Sequence, residues 1–352
     1  MTDNTDGAPK SGEEEVLSFA DRKKRLLAAC DPFAKLLELE TNHIMASLDQ
    51  STTLITMLQW FAGKDQAKKR EKWPYAYLPF LTCCLVGGRA EKVTAVATSW
   101  NLLHLAAHLF DDIADEGFIV GPEGRLSPGE GVNLATSFLF LAQLALDKLP
   151  ATDIPLAVAW ELRRQLNQMV INMCAGQHQD LAAISHPDSN QALYWQVAAA
   201  KTGNFFSWAG QSGAQVGGSD EAESAACAQF SHNLGLLLQI MDDWYDLYTQ
   251  ECTSDLAQGK RTLPVLYALA AAAPAQKQML EEMLSVAPLD AARETVVRQA
   301  VLQLGGMQYV LAQAEMRRQR AQATLTAFSD EVTKSYLCTL LDLAFPFAGR
   351  MK

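Results

Sequence analysis

Two stretches of this chain share one construction. Asp111-Asp112-Ile113-Ala114-Asp115 closes the apolar run from Asn101 to Phe110, and Asp242-Asp243-Trp244-Tyr245-Asp246 closes the run from Leu234 to Met241. Each reads Asp-Asp-x-x-Asp at the end of a helically spaced segment. On a helix the outer two aspartates share a face and the middle one sits about 100° round. Such a cluster is unfavourable alone, because like charges at i and i+4 repel by a few tenths of a kcal/mol. Position adds to the penalty. Gly117 and Gly121-Pro122 follow the first cluster, which places it in a last helical turn, where the macrodipole favours cations. Thr253-Ser254 and Gly259 follow the second. A chain that carries this twice must fold so that a cation sits between two acid-bearing helix ends. Hard carboxylate oxygens with room for water suit Mg²⁺, which shares its shell with substrate phosphates.

The rest of the chain supplies helices to build that arrangement. Strand signals are scarce and helical spacing is common. The pattern predicts helices over 16–48 (interrupted near Asp31-Pro32), 52–61, 78–86, 90–115, 132–148, 155–183, 191–216, 220–248, 263–272, 275–285, 291–303, 308–328 and 330–345. Gly117 to Gly131 holds five glycines and two prolines and reads as a loop. No Gly/Ser/Pro-rich linker divides the chain. The expected architecture is all-α, a single-domain bundle of ten or more helices around a central cavity, over residues 16–352. Residues 1–15, polar and acidic, read as a disordered tail, not a signal peptide.

Composition excludes some partners. The 352 residues carry a net charge of -11, which argues against nucleic acid or an anionic membrane. No run reaches the roughly 18 to 20 apolar residues of a membrane helix. Seven cysteines without zinc-like spacing indicate buried thiols in a reducing, cytoplasmic compartment.

Other residues fit blander roles as well. Asp180, in Gly176-Gln-His-Gln-Asp180-Leu181, is by itself as consistent with a surface residue as with a ligand, and Lys201, in Lys201-Thr202-Gly203, with a solvated lysine. Ser254 to Pro264 is not a phosphate loop, since its first Gly is absent and Arg261 occupies the Ser/Thr slot. His104 and His108, at i and i+4, fit a core histidine and a hydrogen-bonding neighbour of the aspartates better than a metal face. Gly-Gln-Ser212-Gly-Ala is no nucleophile elbow.

Taken together, the segments resemble the trans-isoprenyl diphosphate synthase (polyprenyl synthetase) family, which has the class I terpenoid synthase fold. Five match in order: Leu103-His104 to Asp115, Gly176 to Leu181, Lys201-Thr202-Gly203, Gln239 to Asp246, and Ser254-Asp255-Leu256 to Pro264; the tail from Leu337 to Arg350 resembles the family's last helix. The resemblance implies an isoprenoid synthase bundle that binds an allylic prenyl diphosphate through about three Mg²⁺ ions. By position, Asp111, Asp115 and Asp180 would hold metal from one side and Asp242 from the other, with Asp112, Asp243 and Asp246 in the same motifs. Lys201 and Lys260 match lysines that contact the diphosphate. Gln239 matches a polar residue facing the carbocation. Chain length is read in the family just before the first motif, where Ala106 and Ala107 are small and leave the floor open for C15 or C20 chains. The family is usually a homodimer.

The departures set the expected reaction. Chain-elongating members carry an Arg-Arg pair shortly after the first motif, where this chain reads Glu116-Gly-Phe-Ile-Val120-Gly-Pro. Their Gly-Gly-Lys-x-x-Arg-Pro segment is replaced by Lys68-Lys69-Arg70-Glu71-Lys72-Trp73-Pro74, and the Lys after the second motif by Gln250-Glu-Cys-Thr. These changes fall on the pocket for isopentenyl diphosphate. The sequence therefore favours a terpene synthase-like enzyme that ionises the allylic diphosphate and quenches the cation internally or with water. Chain elongation is the alternative, with the 64–72 stretch or Arg125 replacing the lost cations. Prenyl transfer to another acceptor, or a non-catalytic subunit of a heteromeric synthase, are further possibilities.

Overall fold

A computed structural model describes residues 17–48, 52–63, 73–114, 119–122, 124–149, 153–183, 190–249, 255–286 and 288–347. The acidic tail, the 64–72 stretch and Asp115 lie outside these. The fold is all-α. In order, α1 is Phe19–Ala46, α2 Thr52–Gly63, α3 Leu78–Leu85 (entered by a 3₁₀ turn, Pro74–Tyr77), α4 Ala90–Ala114, α5 Pro128–Leu146, α6 Leu156–Ala183, α7 Gln191–Ala198 and α8 Asn204–Gly217. Then come α9 Glu221–Thr249, α10 Leu263–Ala271, α11 Pro274–Leu284, α12 Ala291–Gln303, α13 Gly306–Thr324 and α14 Glu331–Ala344. Among the described residues the strands are one two-residue pair, Val120–Gly121 antiparallel to Gly124–Arg125.

Three local departures from the sequence pattern have physical causes. Helix α1 runs unbroken through Pro32. A mid-helix proline costs about 3 kcal/mol, but Leu26, Cys30 and Ala34 bury one continuous face across it, and Arg22 at its start pairs with Asp342 of α14 at 2.6 Å. Helix α5 starts at Pro128, inside the expected loop, because Ser127 and Glu130 form a reciprocal capping box. Between α7 and α8 the backbone widens into a π-turn over Ala199–Gly203.

The main core draws on residues from Leu26 of α1 to Phe345 after α14, around Trp100, Phe80, Phe138 and Phe230. A smaller core joins the end of α9 to α10, α11 and α12 through Leu247, Val265, Leu280 and Val301. Helices α3 and α8 touch backbone to backbone: a Cβ on Gly213 would stand 2.3 Å from the Pro79 carbonyl oxygen. No helix among the described residues is long and apolar enough to cross a membrane.

Candidate active site

Five elements converge on a cavity of about 270 Å³, and α7 lines it with Leu193, Tyr194 and Val197. The last turn of α4 brings Asp111, α6 brings Asp180, the π-turn brings Lys201 and Thr202, and α9 brings Gln239, Asp242 and Asp243. The turn before α10 closes one side with Asp255, Lys260 and Thr262. That turn is set by Gly259, whose φ of 75° lies in the left-handed region, and by the Lys260 amide donating to the Asp255 carbonyl at 2.8 Å.

The side chains form a connected network. The Lys201 ammonium donates to Asp180 at 2.7 Å and stands 3.7 Å from Asp111. The Thr202 hydroxyl donates to the Gln239 amide oxygen at 2.9 Å, and the Gln239 amide nitrogen donates to Asp243 at 3.2 Å. The other Asp243 oxygen accepts the Leu263 amide at 3.3 Å, so the opening turn of α10 points its dipole at this carboxylate. Asp246 accepts the Asp255 amide at 3.0 Å, and Lys260 pairs with Asp255 at 2.9 Å.

Burial and charge shift several of these groups. Burial raises Asp243 to about 7, against the hydrogen bonds that favour its anion. Asp242 stays open to the cavity mouth but is otherwise enclosed by protein; lost hydration first, then the Asp255 charge, raise it to about 6. Asp246 is raised by burial and by Asp255. For Lys201, burial acts to lower the pKa, but Asp111 and Asp180 outweigh it and the ammonium is held charged. The Tyr194 hydroxyl is pushed up by burial and by the carboxylates it faces, Asp243 first.

The structure thus brings Asp111, Asp180, Lys201, Gln239, Asp242, Asp243 and Lys260 to one cavity. It separates others. Asp112 lines a second cavity, of about 470 Å³, with Trp73, Tyr77, Asn101, His104 and His108. There the two imidazoles meet each other, Nε2 to Nε2 at 3.0 Å, and His104 stacks on Trp73 at 4.6 Å. Asp246 braces the 255 turn and does not line the first cavity. Ala106 is buried, and neither it nor Ala107 lines either cavity. Among the described residues no three His, Cys, Asp or Glu groups converge as a ready-made metal site. Sequence reasoning missed Tyr194, seven residues before Lys201 and so on the same helical face, and Asp255, which lay in a matched segment without a role.

The chain matches the polyprenyl synthetase family over residues 75–304. It is 25% identical over 341 residues to octaprenyl diphosphate synthase of Haemophilus influenzae, covering 92% of this chain and 98% of that protein. It is 27% identical over 298 residues to geranylgeranyl diphosphate synthase of Mycobacterium tuberculosis, covering 81% and 82%. The structure of geranylgeranyl pyrophosphate synthetase from Pyrococcus horikoshii superposes with a TM-score of 0.78 at 18% identity, over 91% of this chain and 98% of that one. The matched span contains α4, α6, the π-turn, α9 and the turn before α10, the described elements that contribute charged groups to the first cavity, and the chain belongs to the polyprenyl synthetase family.

Proposed function

We propose that this protein is a chain-elongating prenyltransferase, which ionises an allylic prenyl diphosphate in the first cavity and joins the allyl group to isopentenyl diphosphate. This reverses the order the sequence favoured. The relatives matched over most of the chain are octaprenyl and geranylgeranyl diphosphate synthases, whose names describe elongation. The observation that carries the reading is Lys201, held between Asp111 and Asp180 in the same cavity as Asp242 and Lys260.

The donor set fits Mg²⁺ shared with a diphosphate. Asp111, Asp180 and Asp242 present carboxylates to the cavity, whereas both Asp243 oxygens and one of Asp246 already accept backbone or amide N–H groups. Among the described residues too few carboxylates converge to hold a bare ion, which suits Mg²⁺, since it keeps several waters and binds through one or two carboxylates plus phosphate oxygens. The bound metal would neutralise charge on the departing diphosphate. Lys201 and Lys260 add fixed positive charge where that anion develops. Thr202 and Asp243 lock the Gln239 amide, so its dipole stays in place as the carbon–oxygen bond breaks. The alkene of the second substrate then forms the new carbon–carbon bond, and loss of a proton restores the double bond.

One observation favours a second reading, internal quenching. Elongating members carry an Arg-Arg pair shortly after the first motif, where this chain reads Glu116-Gly-Phe-Ile-Val120-Gly-Pro, and the described lining of the second cavity contains neither Lys nor Arg. Incubation of the protein and Mg²⁺ with C10, C15 or C20 allylic diphosphates, with and without labelled isopentenyl diphosphate, separates the two. Labelled, longer diphosphates support elongation. Hydrocarbons or alcohols formed equally without isopentenyl diphosphate overturn it. Asp111→Ala and Asp242→Ala should each abolish turnover.

A homodimer is part of the same proposal. Phe140 and Leu144 of α5 and Trp160 and Ile171 of α6 are 63%, 44%, 62% and 61% exposed. The two helices lie side by side, tied by Gln143 to Asn167 at 2.6 Å. An aromatic face of this kind marks an interaction surface, and a second copy covers it self-complementarily.

A further inference from the structure

The three aspartates of the second acidic motif do different things. Asp242 is open to the mouth of the first cavity. Asp243 accepts the Leu263 amide at 3.3 Å, and Asp246 accepts the Asp255 amide at 3.0 Å. Asp243 and Asp246 are three residues apart on α9 and so neighbours on its surface. The two amides they take are the first and last of one segment, 255–263, and Lys260 lies between them. Asp246 is half-buried and does not line the cavity, whereas Asp242, Asp243 and Asp255 do.

Residue 255 governs Lys260 at both ends of that side chain. The Asp255 carboxylate pairs with the Lys260 ammonium at 2.9 Å, and the Asp255 carbonyl oxygen accepts the Lys260 amide at 2.8 Å. Residue 255 is in turn tied to α9 by the bond from its amide to Asp246. The Leu289 amide also holds the segment, donating to the Ala257 carbonyl oxygen at 2.7 Å, but that bond leads to the connection between α11 and α12 and not to α9. A lysine carries a point charge on a flexible four-carbon stem, and it stabilises a developing anion best when it is held in place beforehand. We propose that Asp246 is a positioning residue for Lys260 and not a metal ligand: by accepting the Asp255 amide it fixes, relative to α9, the turn that carries the Lys260 ammonium to the first cavity. The inference rests on reading that cavity as the diphosphate site.

The bond to the Asp255 amide needs an oxygen acceptor, whereas a Mg²⁺ ligand needs the charge as well, and this separates the two roles. Asp246→Asn keeps the acceptor and removes the charge; Asp246→Ala removes both. Calorimetry of inorganic pyrophosphate binding over a range of Mg²⁺ concentrations, turnover of an allylic diphosphate, and melting are measured on each, beside Asp242→Asn and Lys260→Ala. Displacement by an ångström can reduce rate about 100-fold, so Asp246→Ala should fall about 10- to 100-fold in turnover and about tenfold in pyrophosphate affinity. Asp246→Asn should stay within about fivefold of the wild type in both, with an unchanged Mg²⁺ requirement, whereas Asp242→Asn should need at least about tenfold more Mg²⁺. Added to Lys260→Ala, Asp246→Ala should lose less than about threefold further, because the group it positions is already gone. Asp246→Glu, which moves the acceptor by one methylene, takes the place of Asp246→Ala in these comparisons if the alanine variant does not fold. Equal impairment of Asp246→Asn and Asp246→Ala, a raised Mg²⁺ requirement in Asp246→Asn, wild-type pyrophosphate binding in Asp246→Ala, or additive losses with Lys260→Ala overturns the proposal. A wild type that binds Mg-pyrophosphate but turns over no prenyl substrate sinks the functional reading, and the pyrophosphate comparison still decides on Asp246.

Discussion

Asp243→Asn isolates the electrostatic penalty built into the cavity floor. Asp243 is 3% exposed, and burial raises its carboxyl from 3.8 to about 7. A carboxyl with a raised folded pKa favours folding fully below its unfolded value, and that contribution is lost as pH rises through the folded value. The window here runs from 3.8 to about 7. Integrating the proton difference between about pH 6 and pH 8 gives roughly one pK unit, or ~1.4 kcal/mol. Metal-free wild-type protein should lose about that much stability over this range, and the Asn variant, with no proton to release there, should not. Asp242, raised to about 6, adds only ~0.4 kcal/mol over the same range, and does so in both proteins.

The full penalty near pH 8 is ~4 kcal/mol. An Asn amide turned toward either Gln239 or the Leu263 amide forfeits one hydrogen bond, about 1–3 kcal/mol. The charge outweighs the bond. The variant should therefore be at least as stable as the wild type at about pH 8 in chelator, although it should be a poor enzyme. Urea unfolding at several pH values is the right assay, because 1.4 kcal/mol moves the melting temperature of a chain this size by only about 2 °C. Parallel stability-against-pH curves for the two proteins would refute the reasoning, as would a variant weaker than the wild type by the same margin at every pH.

Lys201→Met should reduce turnover about 10²- to 10³-fold, the usual effect of removing one group that stabilises developing anionic charge; steady-state kinetics with an allylic diphosphate checks it. Gly213→Ala should destabilise by about 3 kcal/mol or more in urea, because its Cβ would meet the Pro79 carbonyl oxygen at 2.3 Å; unchanged stability would mean that α3 and α8 separate freely. Phe140→Asp combined with Trp160→Glu should convert a dimer to monomer in sedimentation, with the monomer's melting transition preserved.

Helix existence was legible throughout, and helix edges were legible where a side chain marks them. Asp290 caps α12, and Ala291–Gln303 was read from sequence without error. Ser127 marks α5 just as clearly, but the glycine count around it dominated the reading; only the packed structure shows Gly131 tolerated in a helix, with Ile119 where its Cβ would be, at 2.7 Å. The π-turn left no trace, since one inserted residue in an apolar run does not disturb the periodicity. At the site, residue type and spacing singled out carboxylates of which Asp111, Asp180, Asp242 and Asp243 line one cavity, but did not assign their places in it. Asp242 and Asp243 are adjacent and identical in sequence. Which one meets the cavity mouth and which is fixed by Gln239 and the α10 amide depends on how α10 docks, a contact twenty residues away in the chain. Asp111 and Asp112 divide similarly, one to each cavity, as the 100° offset between neighbours on a helix requires.

That division explains how so acidic a site is tolerated. The first cavity is lined by five carboxylates, Asp111, Asp180, Asp242, Asp243 and Asp255, against three cations, Lys201, Lys260 and Arg261. Each of the two lysines is bound to a carboxylate on one edge, Lys201 to Asp180 and Lys260 to Asp255, and Asp243 relieves part of the remaining excess by holding its proton up to about 7. Asp111 has only a share of Lys201, at 3.7 Å, so the Asp111–Asp242 side is the least balanced, and the chain's net charge of -11 gives no long-range help to an incoming anion. A bare diphosphate meets repulsion there, whereas a diphosphate carrying divalent cations meets attraction at those carboxylates and at the lysine edges together. On the proposed function, metal and substrate would enter this site together.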